Sequence, residues 1–443
     1  MTEIDDRFDR VRLLFPDHLG LARGKYLPAR IAGRGTGHCA TIWGLGYDRS
    51  MVPAPGSYLL DGLVDVVATP DHDTVRASWE DDVTAIALAD IALDGDPFPY
   101  AARHVLQQAI AAWEDLGYRP QVGIELEAYV LEADDSSPRG WRRLQNPRAM
   151  VYGTGIANDP GGVVDDIMRT ARRTGFRVES INAEFDESQY ELTLEYSDAL
   201  HAADDVFLFR IMAREIALKH GLDLTFLGKP FDDVSGSGIH VNFSLADADG
   251  NNAIHDVNEA DGVSLLARQC TAGLLEHHRA LVAVTAPTVN AYRRLQPAQL
   301  SGFWANWGYD HRCVAVRIPP ERGQGSRLES RVADGSVSIH LAVAAVLTAA
   351  RLGVENELEC PPHESGDGFE EVGTDVCAAG NLSAALDDLE ADSTFVEALG
   401  ADLVANFVAI KRAEWDRFVE AEGGFDPEGQ VTDWEINEYL PYH

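Results

Sequence analysis

Between Gln121 and Val130 the chain alternates strictly, with Glu125 and Glu127 on one parity and Ile124 and Leu126 on the other. Successive side chains of a β-strand point to opposite faces, so this pattern predicts a strand with one apolar face and one carboxylate face. The same parity recurs further along. Gln189, Glu191, Thr193 and Glu195 alternate with Tyr190, Leu192 and Leu194, and Glu184 precedes them across a short irregular stretch that can return it to the same face. His240, Asn242 and Ser244 alternate with Ile239, Val241 and Phe243, and Arg327, Glu329 and Arg331 share a further strand face. Read singly, each face also fits a solvated sheet surface, and a lone strand histidine is more often a hydrogen-bonded core residue than a ligand. The set reads differently. Several strands, each presenting carboxylates, one imidazole or arginines, form a donor set suited to Mg2+ or Mn2+. Arg294, Arg312 and Arg317 lie nearby in sequence and can grip carboxylate or phosphate through two N–H groups at once. The glycines of Ser235-Gly-Ser-Gly let backbone approach a ligand closely.

The organisation around these strands is uneven. From Val11 to about Pro97 the sequence reads as short strands and turns, and after Asp94-Gly-Asp-Pro-Phe-Pro an amphipathic helix is expected from Arg103 to Leu116, ending at Gly117. A boundary near residue 100 divides the chain into 1–99 and 100–443. Further helices are expected over Asp204–His220, Val257–Ala283, Ser338–Val354 (apolar and fully buried), Leu382–Leu399 and Leu403–Phe418, with a mobile loop over Glu359–Gly373.

Charge narrows the function classes. The 443 residues hold 36 basic against 72 acidic side chains, a net −36, which disfavours nucleic acid as a partner. The four lysines are Lys25, Lys219, Lys229 and Lys411. Acid-rich, lysine-poor surfaces suit concentrated salt, and the reading is a halophile's cytoplasmic protein, with an acidic mesophilic protein as the alternative. Five cysteines without a C-x-x-C spacing speak against a disulfide framework or a zinc site. The start, Met1-Thr-Glu-Ile-Asp-Asp6, lacks the pattern of a signal peptide, and the run Leu341–Leu352 is too short to span a bilayer. No membrane association is expected.

In order along the chain, the motifs resemble the glutamine synthetase superfamily, in a type I-like, haloarchaeal-looking form. Those that carry the resemblance are Asp17-His-Leu-Gly-Leu-Ala-Arg-Gly-Lys-Tyr-Leu-Pro28, Pro70-Asp-His-Asp-Thr74 with Trp79, Gly123-Ile-Glu-Leu-Glu127, Glu184…Gln189…Glu191, Lys229-Pro…Gly-Ser-Gly-Ile-His240, Asn290-Ala-Tyr-Arg-Arg-Leu295, His311-Arg-Cys…Arg317-Ile-Pro, Arg327-Leu-Glu-Ser-Arg331, Lys411-Arg-Ala-Glu-Trp415 and Asp433-Trp-Glu435. The resemblance implies an α+β fold, with an N-terminal β-grasp domain and a catalytic domain built on a curved antiparallel sheet flanked by helices. It implies one metal site at Glu127, Glu184 and Glu191 and another at Glu125, His240 and Glu329, holding Mg2+ or Mn2+. It implies ATP contacts at Glu179, Asn242, Ser244, Arg312 and Arg317, and glutamate contacts at Gly236, Arg294, Arg312 and Arg331, with Arg312 and Arg331 catalytic. It also implies a homo-oligomer of stacked rings, often a dodecamer, whose sites lie between neighbouring subunits.

The chain departs from ammonia-using relatives in two ammonium-handling places and at two smaller positions. They carry an Asp-Gly-Ser-Ser stretch in the β-grasp domain, where this chain has His38-Cys-Ala-Thr-Ile-Trp-Gly-Leu-Gly-Tyr-Asp-Arg-Ser50. They also carry a flap glutamate six positions after the arginine that corresponds to Arg294, where this chain has Leu300. Ser235 and Asn242 replace an asparagine and a second histidine of the relatives. The pattern resembles the γ-glutamylpolyamine synthetases, and the expected activity is ATP-dependent ligation of glutamate to a diamine such as putrescine. Asp186 and Glu187 are candidates for holding the diamine's second ammonium. A glutamine synthetase proper, using ammonia, is the alternative. A non-catalytic structural relative is the remote one, and the retained ligand residues speak against it.

Overall fold

The computed structural model describes residues 7–137, 140–368 and 372–443. The Met1–Asp6 start and positions 369–371 of the expected loop lie outside the described residues. The architecture is α+β. A first sheet gathers β1 (Arg10–Pro16), β2 (Ala22–Pro28), β3 (Thr36–Cys39), β4 (Asp65–Pro70), β5 (Arg76–Ala77), β6 (Thr84–Leu93) and β7 (Asp96–Pro97) in the order β2-β1-β6-β4-β3, with β5 and β7 paired to β6. A one-turn helix, α1 (Ala29–Ala32), follows β2. β1 and β6 run parallel, and their side chains divide by parity between two cores. Leu13, Phe15, Ala85 and Ala87 pack with Trp43 and Phe98, whereas Leu14, Ile86 and Leu88 face the other way into the main core. Near-continuous apolar strands of this kind are what burial on both faces requires.

Helix α2 (Ala102–Asp115) follows and ends where Gly117 adopts φ +87°, as the sequence predicts. It opens the way to a ten-stranded sheet in the order β10-β11-β8-β14-β17-β16-β15. Its spine is β8 (Arg119–Ala133), which pairs antiparallel with β9 (Trp141–Arg143), β11 (Gln189–Leu194), β12 (Ser197–Asp198), β13 (Leu222–Thr225) and β14 (Ile239–Ala246). The remaining strands are β10 (Val178–Ala183), β15 (Trp307–Tyr309), β16 (Val316–Ile318) and β17 (Leu328–Ser330). Helices α3 (Val163–Arg173), α4 (Ala199–Lys219), α5 (Leu265–Glu276), α6 (His278–Thr285), α7 (Ala291–Arg294) and α8 (Ile339–Glu355) accompany the sheet, and α9 (Leu382–Ala391), α10 (Ser393–Leu399), α11 (Ala401–Glu422) and α12 (Asp433–Tyr439) close the chain. α8 is buried almost throughout and packs on α2 and α5.

Three expectations need adjustment. The single helix over Val257–Ala283 is instead two, because Ser264 caps the start of α5 through its side chain and the chain breaks at His277 before α6. The C-terminal pair is three helices, since Asp392 ends α9 and caps α10. The described part of Glu359–Gly373 is irregular but tied down: Trp307 Nε1 donates to the Pro361 carbonyl at 2.8 Å, and the Glu364 carboxylate accepts N–H groups from Ser365, Gly366 and Gly373. Among the described residues no single helix is long and apolar enough to cross a membrane; α10 and α11 reach that measure only as a pair bent by 107°. The five cysteines are free thiols.

Candidate active site

Register decides which carboxylates meet. Antiparallel pairing sets Glu191 of β11 opposite Glu127 of β8, His240 of β14 opposite Glu125, and Asn242 opposite Glu329 of β17. Arg317 of β16 faces Glu329 from the other side. Ile124, Leu126, Leu192, Ile239, Val241 and Phe243 are buried beneath, so the opposite parity is held to one polar face.

Two groups of ligand-type atoms, each within 4.8 Å of one another, lie on that face: Glu125, His240 and Glu329, and Glu127, Glu191 and His240. The first is the set the resemblance implies. In the second His240 takes the place expected of Glu184. Glu184 sits just past β10, where its Oε2 accepts the Phe185 N–H at 3.1 Å, and it joins neither group.

Hydrogen bonds and charge differ between the groups. His240 Nδ1 lies 2.9 Å from Glu125 Oε2, and Asn242 Nδ2 donates to Glu125 Oε1 at 3.0 Å. Burial alone would raise the Glu125 carboxyl, but these contacts and Arg331 outweigh it and hold it at about 2. Burial likewise opposes ionisation of Glu329, yet His240, Arg331 and Arg317 keep it below its usual range. Arg317 donates to Glu329 at 2.7 Å, and Arg331 donates to the other carboxylate oxygen. For Glu191 and Glu184 the opposing contributions win. Burial, with Glu125 and Glu184 nearby, lifts Glu191 to about 7, and burial with Glu127 raises Glu184.

An open cavity of about 610 Å³ lies over this face. Glu179, Asn242, Ser244, Arg312 and Arg317 all line it, together with Glu125, Glu191 and Glu329. Tyr152, Tyr196 and Gln324 line it too, and the period-two reading does not mark them. The signals they carry are exposure, 67% and 66% for the tyrosines, and at Tyr152 a left-handed backbone (φ +58°) that a bulky residue rarely adopts.

Gly236, Arg294 and Arg331 come together beside the first group. Arg294 is buried, and its guanidinium reaches the carbonyls of Val332 and Arg331. A side chain at Gly236 would place Cβ 2.6 Å from Arg294 Cγ, and one at Gly238 would place it 2.3 Å from Arg294 Nη2. At Gly236 the backbone carbonyl of Gly228, 2.9 Å from that Cβ position, also bars a side chain, whereas at Gly238 the Arg294 guanidinium would have to move. Leu300 is half exposed on the Gln296–Gly302 stretch. Asp186 is engaged elsewhere: its Oδ2 accepts the Tyr129 hydroxyl and the Ser235 N–H. Glu187 accepts the Asn146 N–H at 3.3 Å.

Comparison with known proteins bears on this arrangement. A family model described as "Glutamine synthetase, catalytic domain" matches residues 99–439. A protein of Clostridium saccharobutylicum named "Glutamine synthetase" is 35% identical over 78% of this chain and 77% of its own length. A "Glutamine synthetase" of Pyrococcus woesei is 31% identical over 99% of this chain and 98% of its own. A solved structure described as "GmaS/ADP complex-Conformation 1" is 28% identical, with a TM-score of 0.82 covering 98% of this chain and 97% of that one.

Proposed function

We propose that this chain, which belongs to the glutamine synthetase family, joins the γ-carboxyl of glutamate to an amine larger than ammonia, with putrescine the first candidate, at the expense of ATP. The observation that carries the ligase reading is the convergence of Glu125, Glu191 and Glu329 with Arg312 and Arg317 around one cavity. We read 1–99 as a β-grasp domain and 100–443 as the catalytic domain.

A carboxylate is a poor acyl donor because its oxygen will not leave. Attack of the glutamate γ-carboxylate on the terminal phosphate of ATP makes γ-glutamyl phosphate, whose phosphate leaves readily when an amine attacks. The first step brings two anions together, and positive charge must offset the repulsion. The donor set fits Mg2+ or Mn2+: carboxylates with one imidazole, among which burial and then neighbouring carboxylates oppose the ionisation of Glu191 and Glu184, are what a hard cation would relieve. Glu125, His240 and Glu329 would hold one ion, and Glu127 and Glu191, with Glu184 alongside, a second. Bound there, such ions supply charge to the transferring phosphoryl group. Arg312 and Arg317, lining the cavity, suit the phosphates, and the similar structure described as an ADP complex supports a nucleotide as substrate. Glu179, Asn242 and Ser244 would contact the nucleotide, and exposed Tyr196 offers a face for its base. Gly236, Arg294 and Arg331 would receive glutamate, Arg294 as a buried cation for a carboxylate. Arg312 and Arg331 would steady the charge that develops on the phosphoryl and γ-carboxyl oxygens. Assembly into a homo-oligomer of stacked rings, a dodecamer, belongs to the same reading.

The acceptor rests on Leu300. Ammonia-using relatives have a glutamate there, and a leucine cannot draw in ammonium, whereas it can pack against methylenes. The curated relatives named glutamine synthetase favour a second reading, ammonia as acceptor. Phosphate release from ATP that requires glutamate, an amine and Mg2+ or Mn2+ together tests the ligase. Release that ignores either glutamate or the amine would refute it.

A further inference from the structure

We propose that Asp186 is a positioning residue that locks the Ser235–Gly238 loop, the wall of the glutamate subsite, to the turn carrying Glu184; this rests on the site reading given above. The loop has no regular structure over 235–237, yet nearly every backbone polar group on it is held from outside. Asp186 Oδ2 accepts the Ser235 N–H at 2.6 Å. The Tyr129 hydroxyl lies 3.0 Å from the Ser235 carbonyl and 3.1 Å from the same Asp186 oxygen, closing a three-membered clamp. Gln189 Nε2 donates to the Gly236 carbonyl at 3.0 Å, the Ser237 N–H reaches the Gly228 carbonyl at 2.8 Å, and the Gly238 N–H reaches Glu127 Oε2 at 2.7 Å. Arg143 stands 3.9 Å from the other Asp186 oxygen and balances its charge.

The loop's exact place matters because Arg294 lies against it. Gly236 and Gly238 leave no space for even a methyl group before Arg294, so a loop displaced by a fraction of an ångström displaces the guanidinium as well. Asp186 is the point where this loop meets the β10–β11 turn, two residues beyond Glu184. A hydrogen bond from backbone N–H to a carboxylate is among the stronger ones in proteins, and here it ties the glutamate pocket to the carboxylate face in one contact. Asp186 itself does not line the cavity over the carboxylate face.

The test compares Asp186→Ala, Asp186→Asn and Tyr129→Phe. Asp186→Ala is expected to raise the glutamate KM on the order of tenfold with the ATP KM little changed, and to speed hydrogen exchange at the Ser235–Gly238 amides. Asp186→Asn retains an oxygen for the Ser235 N–H and should recover most of the loss. Tyr129→Phe, which preserves shape, should give a rise of about fivefold and keeps the test available if Asp186→Ala does not fold. Unchanged glutamate KM and unchanged exchange would overturn the assignment, as would glutamate and ATP KM values rising together. A wild-type protein that binds no glutamate would instead overturn the proposed function, and this inference would fall with it.

Discussion

Glu191 faces Glu127 across the β8–β11 ladder, so two carboxylates occupy one rung of an antiparallel pair. Like charges opposed in this way destabilise a sheet. Glu125 and His240 lie beside this rung, and on the proposed function a bound cation would relieve the repulsion.

The rung sets a pH dependence. Burial and the neighbouring carboxylates lift Glu191 from 4.5 to about 7, so the fold opposes its ionisation. Without divalent metal, its contribution to stability therefore falls as pH rises from 4.5 through about 7. Glu125 works in the opposite sense: held at about 2, it contributes stability that is lost as pH falls below 4.5. The rise in Tm on adding Mg2+ or Mn2+ is expected to be larger at about pH 8 than at about pH 6. An equal rise at both would count against cation binding at this rung.

Glu127→Gln should preserve the fold, because the amide oxygen can still accept the Gly238 N–H that Glu127 holds at 2.7 Å. It should lower phosphoryl transfer by roughly a thousandfold, since a catalytic metal supplies several kcal/mol. Circular dichroism and steady-state turnover at saturating metal check both halves. Wild-type turnover would contradict the site assignment.

Arg103 is 3% exposed, and it binds Asp204 through two nitrogens while also reaching Asp71 and Asp90. It thereby ties the first sheet to α4, where His340 of α8 meets the same Asp204 at 2.8 Å. Arg103→Met leaves buried carboxylate without its cation and should cost about 3–5 kcal/mol. Arg103→Lys should recover only part of this, because an ammonium cannot fork between partners. Urea denaturation measures both.

With a net charge of −36, screening matters to assembly. The Debye length grows from about 3 Å at 1 M salt to about 10 Å at 0.1 M, and in the proposed ring assembly like-charged subunits would then repel. Sedimentation and activity are expected to require molar salt. An unchanged, active oligomer in dilute buffer would contradict this.

How far the sequence reaches follows from the range of the interactions. The strands of the site were legible because side-chain parity is a property of neighbouring residues, and Ile124, Leu126 and Leu192 lie buried where alternation puts them. The break of α5 from α6 at His277 was not legible, since helical periodicity continues across it. From sequence Asp186 is a candidate partner for a second ammonium; its contacts with Tyr129 and Ser235, more than forty positions away on either side, are not legible there. Arg103 reads as one polar position of an amphipathic helix, and its buried role depends on Asp71, Asp90 and Asp204. Glu184 belongs to the carboxylate face through charge coupling with Glu127, but whether an irregular turn carries it into a ligand group is a matter of ångströms that motif order does not fix.

The acceptor is the central claim, and kcat/KM for putrescine against ammonia, in wild type and in Leu300→Glu, tests it most directly. Each buried CH₂ is worth roughly 0.8 kcal/mol, so packing of a four-carbon chain is worth up to about 3 kcal/mol. Wild type is expected to favour putrescine, and Leu300→Glu to shift the ratio toward ammonia. A wild type that uses ammonia well and ignores putrescine would contradict the account and identify ammonia as the acceptor.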